Sequence, residues 1–88
     1  MPSSSDVDLL AAFGRAVRYL RLERGMSQEQ LAEAAGIHRT DTGDVERGER
    51  NVGLVNIGRI ARALATPLDD LMARVESERS RQSPARPR

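Results

Sequence analysis

Bond-making chemistry needs side chains that this sequence lacks or leaves isolated. There is no cysteine and one histidine, His38, with no acid pair at ligand spacing around it, so it reads as a helix-entry residue rather than a metal ligand. Asp69 and Asp70 are adjacent, and neighbouring side chains on a helix diverge, which removes a paired-carboxylate reading. No nucleophile stands with a base, so the sequence predicts neither an enzyme nor a metal or other cofactor. Residues 39–47 do concentrate hydrogen-bonding groups. With Arg39 at zero on a helical wheel, Gly43 falls at about 40°, Arg47 at about 80°, Thr40 at about 100° and Asp44 at about 140°. Val45, His38, Thr42 and Glu46 occupy the opposite arc, about 240° to 340°. One face is polar and short-chained, fit for recognition, while the other can pack inward.

The elements that hold this face can be read from spacing and caps. Leu10, Phe13, Val17 and Leu20 recur at steps of three and four and predict a helix from about Val7 to Arg24, closed by Gly25. Ser27 with Gln30 is a capping-box pair opening a second helix through Ala35. Only Gly36 and Ile37 separate it from the third, so the two must meet at a steep angle across a tight turn. Gly48 closes the third helix. Leu54, Ile57, Ile60, Ala61 and Leu64 mark a fourth beginning near Gly53. Thr66, Pro67 and Asp69 read as cap, first helical residue and first-turn acid of a fifth, whose apolar face is Leu68, Leu71, Met72 and Val75. The prediction is an all-α domain of five helices over residues 7–76, a flexible lead at 1–6 and a disordered Arg/Ser/Pro tail at 77–88.

Composition narrows the class of partner. At 88 residues and 39% hydrophobic, the chain suits one small domain that cannot enclose a deep substrate pocket. No apolar run reaches the roughly 20 residues of a membrane span, and a cytoplasmic location is expected. All fourteen basic side chains are Arg, yet the net charge is only +1, and residues 26–50 carry three Arg against six acids. Any polyanion must therefore be recognised by placement of charge rather than by its sum.

Several stretches resemble a known family. Gly25-Met26-Ser27-Gln28-Glu29-Gln30-Leu31-Ala32, then Gly36-Ile37, Val45-Glu46-Arg47-Gly48 and Ile60-Ala61-Arg62-Ala63-Leu64 are similar to the Cro/repressor-type helix-turn-helix domain, the xenobiotic-response-element family, over about residues 13–76. His38-Arg39-Thr40, Val45 through Val52, and Asn56-Ile57 resemble more narrowly the controller proteins of restriction-modification systems. The resemblance implies a dimeric, sequence-specific regulator bound to double-stranded DNA on a pseudo-palindromic operator, blocking or recruiting RNA polymerase. Carried over by position, Arg39, Thr40, Gly43 and Asp44 fall where family members contact bases. Arg39 suits guanine O6 and N7, Thr40 a base edge or thymine methyl, and Asp44 the cytosine amino group. Gln28 at the start of the second helix, with Arg47, Arg50 and Asn51, would grip phosphates. Glu46 faces inward and needs a partner, which the resemblance assigns to Arg21 as a structural ion pair. Leu68, Met72 and Val75 are the implied dimer surface.

Two positions depart from the family pattern. Thr42 stands where a bulky aliphatic side chain is usual, and its hydroxyl must find a hydrogen bond or forfeit about 1–3 kcal/mol. Asp41 stands where controller-like members commonly carry an aromatic residue, and together with Asp44 it places negative charge on the element that would approach a polyanion. A protein-interaction module or antitoxin with weak or lost DNA binding is therefore the alternative. Arg79, Arg81, Arg86 and Arg88 read as a solvated end rather than a groove-binding arm.

Overall fold

The computed structural model describes residues 3–82. Among them the chain forms five helices and no strand: α1 Ser4–Glu23, α2 Gln28–Ala35, α3 Arg39–Glu46, α4 Leu54–Ala63 and α5 Leu68–Gln82. None is long and apolar enough to cross a membrane.

Local signals explain most of the boundaries. At Ser27 the hydroxyl accepts from the Gln30 N–H at 3.0 Å, and the Gln30 side chain accepts from the Ser27 N–H at 2.8 Å, so two orphan donors of α2 are satisfied reciprocally. Gly36 ends α2 at φ +73°. A second capping box, Ser3 with Asp6, starts α1 at Ser4, ahead of the Val7 marked by apolar spacing. Residues 4–6 thus belong to the helix rather than to a flexible lead, because hydrogen bonds fix a helix start where hydrophobic periodicity is silent. Helix α5 begins one residue later than its proline suggests. Pro67 O accepts from the Leu71 N–H at 3.0 Å, which makes Pro67 the flanking residue, and the Thr66 hydroxyl donates to Leu64 O instead of capping.

The C-terminal half of α5 also corrects the expectation of disorder from residue 77. It runs to Gln82, held by charge rather than apolar burial: Glu78 is 7% exposed and takes Arg15 Nε at 3.3 Å and Arg74 Nη2 at 2.7 Å. Counting apolar residues misses such an anchor. The rest of the expected tail, 83–88, and the first two residues of the lead lie outside the described residues.

Helix α1 is the spine. Phe13, Val17 and Leu20 pack with Leu31, Ala35, Val45, Ile60, Leu64, Leu71 and Val75 in one core. Burial of the larger of these side chains stabilises by about 1.5–3 kcal/mol each. Two glycines let α1 approach the α3 region closely. A Cβ on Gly14 would lie 2.4 Å from Val45 O and 2.5 Å from Glu46 O, so the two backbones touch with no room for a side chain. Gly48 combines φ +75° with a would-be Cβ 2.9 Å from Ala11 Cα, so both conformation and space require glycine there.

Val75 is 1% exposed and belongs to this core, which corrects its assignment to a dimer surface. It lies on the side of α5 that α1 covers. Leu68 and Met72 remain at the surface, 42% and 38% exposed.

Candidate nucleic-acid interface

The geometry of the site starts from a buried ion pair. Arg21 of α1 meets Glu46 at the end of α3 through two bonds, Nε to Oε2 at 2.6 Å and Nη2 to Oε1 at 3.0 Å. Its remaining arm donates to Met26 O at 2.8 Å, and Gln28 Nε2 donates to Glu46 Oε1 at 3.0 Å. Arg21 is 7% exposed and Glu46 9%. One carboxylate thereby fixes the last turn of α3 to the body of α1 and the first turn of α2. A bidentate, fully hydrogen-bonded pair of this kind offsets the desolvation that burial imposes and specifies orientation.

This network also reassigns Gln28. Its half-buried side chain is turned toward Glu46, so a phosphate would have to take that side chain from Glu46, whereas the backbone N–H groups at the start of α2 face an anion without such an exchange. Gly43 is buried as well. A Cβ there would meet Arg47 Nη1 at 3.1 Å and Gln28 Oε1 at 3.7 Å, so the backbone lies beneath two polar side chains and presents nothing to a base. Gly43 does lie on the polar arc beside Arg47, but a helical wheel cannot register the Gln28 side chain that α2 lays over it.

Arg39 and Thr40, at the start of α3, are exposed. The Arg39 guanidinium is held by Glu29 of α2, Nη1 to Oε2 at 2.9 Å, with both side chains about two-thirds exposed. Asp44 is half-buried and receives Arg47 Nη2 at 2.6 Å and, more distantly, Arg50 Nη2 at 3.8 Å. Arg50 pairs primarily with Asp41 Oδ1 at 2.8 Å, while Arg47 Nε reaches Glu49 at 3.0 Å. The hydrogen bond to Glu49, followed by its charge and that of Asp44, raises the Arg47 pKa above its ordinary value. Three guanidiniums therefore stand among four carboxylates, each Arg already paired. Asn51 is separated from this group: it borders a groove with Asp6, Leu9 and Leu10 of α1.

The Glu29–Arg39 contact and the pairing of Asp41 with Arg50 link residues nine or ten apart across turns, and no local pattern points to either. Gly14 was likewise missed, because a glycine inside a helix reads only as a weak former until its neighbour's backbone is known.

Comparison with known proteins decides what the arrangement is. The helix-turn-helix family model HTH_3 matches residues 17–71. The chain belongs to that family. Control protein C.BamHI of Bacillus amyloliquefaciens is 49% identical over 61 residues, 68% of this chain and 75% of that protein. Control protein C.SmaI of Serratia marcescens is 44% identical over 68 residues, 77% of this chain and 81% of the relative. Among solved structures, the restriction-modification controller protein C.AhdI from Aeromonas hydrophila superposes with a TM-score of 0.69 at 48% identity, covering 70% of this chain and 94% of that one. These relatives are controller proteins, and the chain is a helix-turn-helix DNA-binding transcription regulator, not an enzyme.

Proposed function

We propose that the chain acts as a homodimer on a pseudo-palindromic operator in the cytoplasm, controlling a restriction-modification operon by blocking or recruiting RNA polymerase. What supports this most is the exposed Arg39–Thr40 start of α3, carried on a helix that the Arg21–Glu46–Gln28 network anchors from behind. A helix so held can enter the major groove, where each base pair displays a distinct pattern of donors and acceptors. Arg39 then exchanges Glu29 for guanine O6 and N7, Thr40 meets a neighbouring base edge, and Asp44 accepts from a cytosine amino group. Arg47 and Arg50 serve phosphates by giving up carboxylate partners, with the first turn of α2 opposite them.

Leu68 and Met72 are the dimer contacts in this reading. They are exposed apolar side chains of α5, and Met72 lines a small groove with Leu9 of α1, itself 40% exposed. Two copies related by a two-fold axis would present their α3 helices about one helical turn of DNA apart.

The test is fluorescence anisotropy of upstream duplex DNA at two salt concentrations with nonspecific competitor. Competitor-resistant binding that falls steeply with salt is expected, and Arg39→Ala should weaken it about tenfold or more. A salt-independent signal, or none, would instead favour the protein-interaction reading that the four carboxylates beside α3 invite.

A further inference from the structure

Among the described residues, a second group of guanidiniums gathers away from α3. On α1, with Gly14 at zero, Arg21 falls at about 340°, Arg18 at about 40°, Arg15 at about 100° and Tyr19 at about 140°. Gly14 and Arg21 are where α3 meets α1, whereas Arg15 and Tyr19 are where α5 does. Arg15, Arg18 and Tyr19 line an open groove with Arg74, Glu78 and Arg81 of α5. Among the lining side chains four guanidiniums surround one carboxylate, Glu78, which is already committed; a second acid, Glu23, accepts from the Tyr19 hydroxyl at 3.2 Å. Glu78 receives Arg15 at 3.3 Å and Arg74 at 2.7 Å, with Arg81 at 3.6 Å. Arg18 is exposed and has no ion-pair partner among the described residues.

The groove is not only charged. Tyr19 is 42% exposed with the Arg74 guanidinium over its ring at 3.6 Å, and Leu22, at 54%, forms an apolar rim. A ligand that fits must bring several negative charges beside an apolar group. A carboxylate-rich peptide carrying aliphatic or aromatic residues does so, placing acids on Arg18 and Arg81 and an apolar side chain against Tyr19 and Leu22. DNA backbone supplies the charge but offers nothing for the apolar rim. We propose that the α1–α5 groove docks an acidic, partly apolar segment of a protein partner, on a different flank of α1 from the one that carries α3. This goes beyond the operator reading and does not depend on it.

The experiment uses the full chain and a fluorescein-labelled peptide of repeated Asp-Glu-Leu units, with a Lys-for-acid version as control. The acidic peptide should bind, weaken with salt, and lose affinity about tenfold when Arg18→Glu and Arg81→Gln are combined; both side chains are exposed. Arg18→Glu alone, at a side chain with no ion pair to break, should reproduce part of that loss with unchanged thermal unfolding. Arg39→Ala, which tests the α3 reading separately, should leave peptide binding intact. The proposal is overturned if the wild-type chain does not bind the acidic peptide, or if the groove variants bind it equally well. It is also overturned if Arg39→Ala abolishes binding, or if a nonspecific duplex displaces the peptide from the wild-type chain, which would make the groove a DNA-backbone contact.

Discussion

Replacing Thr42 by valine should stabilise the protein. Thr42 is 2% exposed, and its Oγ1 is buried with no hydrogen-bond partner. The backbone around it is already satisfied, since the Thr42 N–H donates to His38 O at 3.1 Å. An unsatisfied buried hydroxyl costs about 1–3 kcal/mol, whereas valine has nearly the same shape and the same β-branching, so its packing and helix propensity change little. At the lower bound of about 1 kcal/mol, a domain of this size should gain roughly 4–8 °C in melting temperature. Thr42→Ser supplies the opposite control: it keeps the hydroxyl, loses the methyl group, and should be destabilised by about 0.8 kcal/mol or more. Urea unfolding and thermal melts at one fixed protomer concentration would read both changes, with the urea dependence unaltered if only the native state responds. A Thr42→Val protein no more stable than the wild type would refute the reasoning, because it would mean that the hydroxyl has a partner after all.

Three further outcomes follow from the geometry. Arg21→Met or Glu46→Met alone should destabilise by about 3–5 kcal/mol and the double substitution by clearly less, since each single change strands a buried charge; unchanged melting in both singles would dismiss the pair. Asp44→Asn should remove one negative charge from α3 and loosen Arg47, which Glu49 still holds, while Arg50 stays on Asp41; affinity for nonspecific duplex should rise severalfold, eroding the ratio of specific to nonspecific binding, which a competitor titration would detect. Met72→Glu should shift the protein toward monomer in sedimentation at tens of micromolar, and a dimer left intact would remove Met72 from the interface.

Several features were legible because they are local. The two-residue turn at Gly36 and Ile37, the capping box at Ser27 and the glycine closing α3 all depend on groups within one helical turn of one another, so residue type and spacing suffice. The inward direction of Thr42 and Glu46 followed from 100° per residue, and so did the outward direction of Arg39 and Thr40. The wheel gives direction but not cover. Gly43 points toward the polar arc and is nevertheless buried, because Arg47, one turn on at the end of α3, and Gln28 of α2 fold over it.

The division between sequence and tertiary structure follows the range of the interactions. By itself the sequence determined the five helices, the sharp turn before α3 and the polar face that α3 presents, since these rest on backbone preferences and caps satisfied within a few residues. Only the tertiary structure decided which polar side chains are available. It turned Gln28 to Glu46, gave Arg39 to Glu29, moved Asn51 beside α1, put Val75 in the core, and ordered α5 as far as Gln82 through Glu78 and Arg15, 63 residues apart in the chain. Ion pairs and burial across such separations depend on where whole helices come to rest, and no local pattern of residues encodes that.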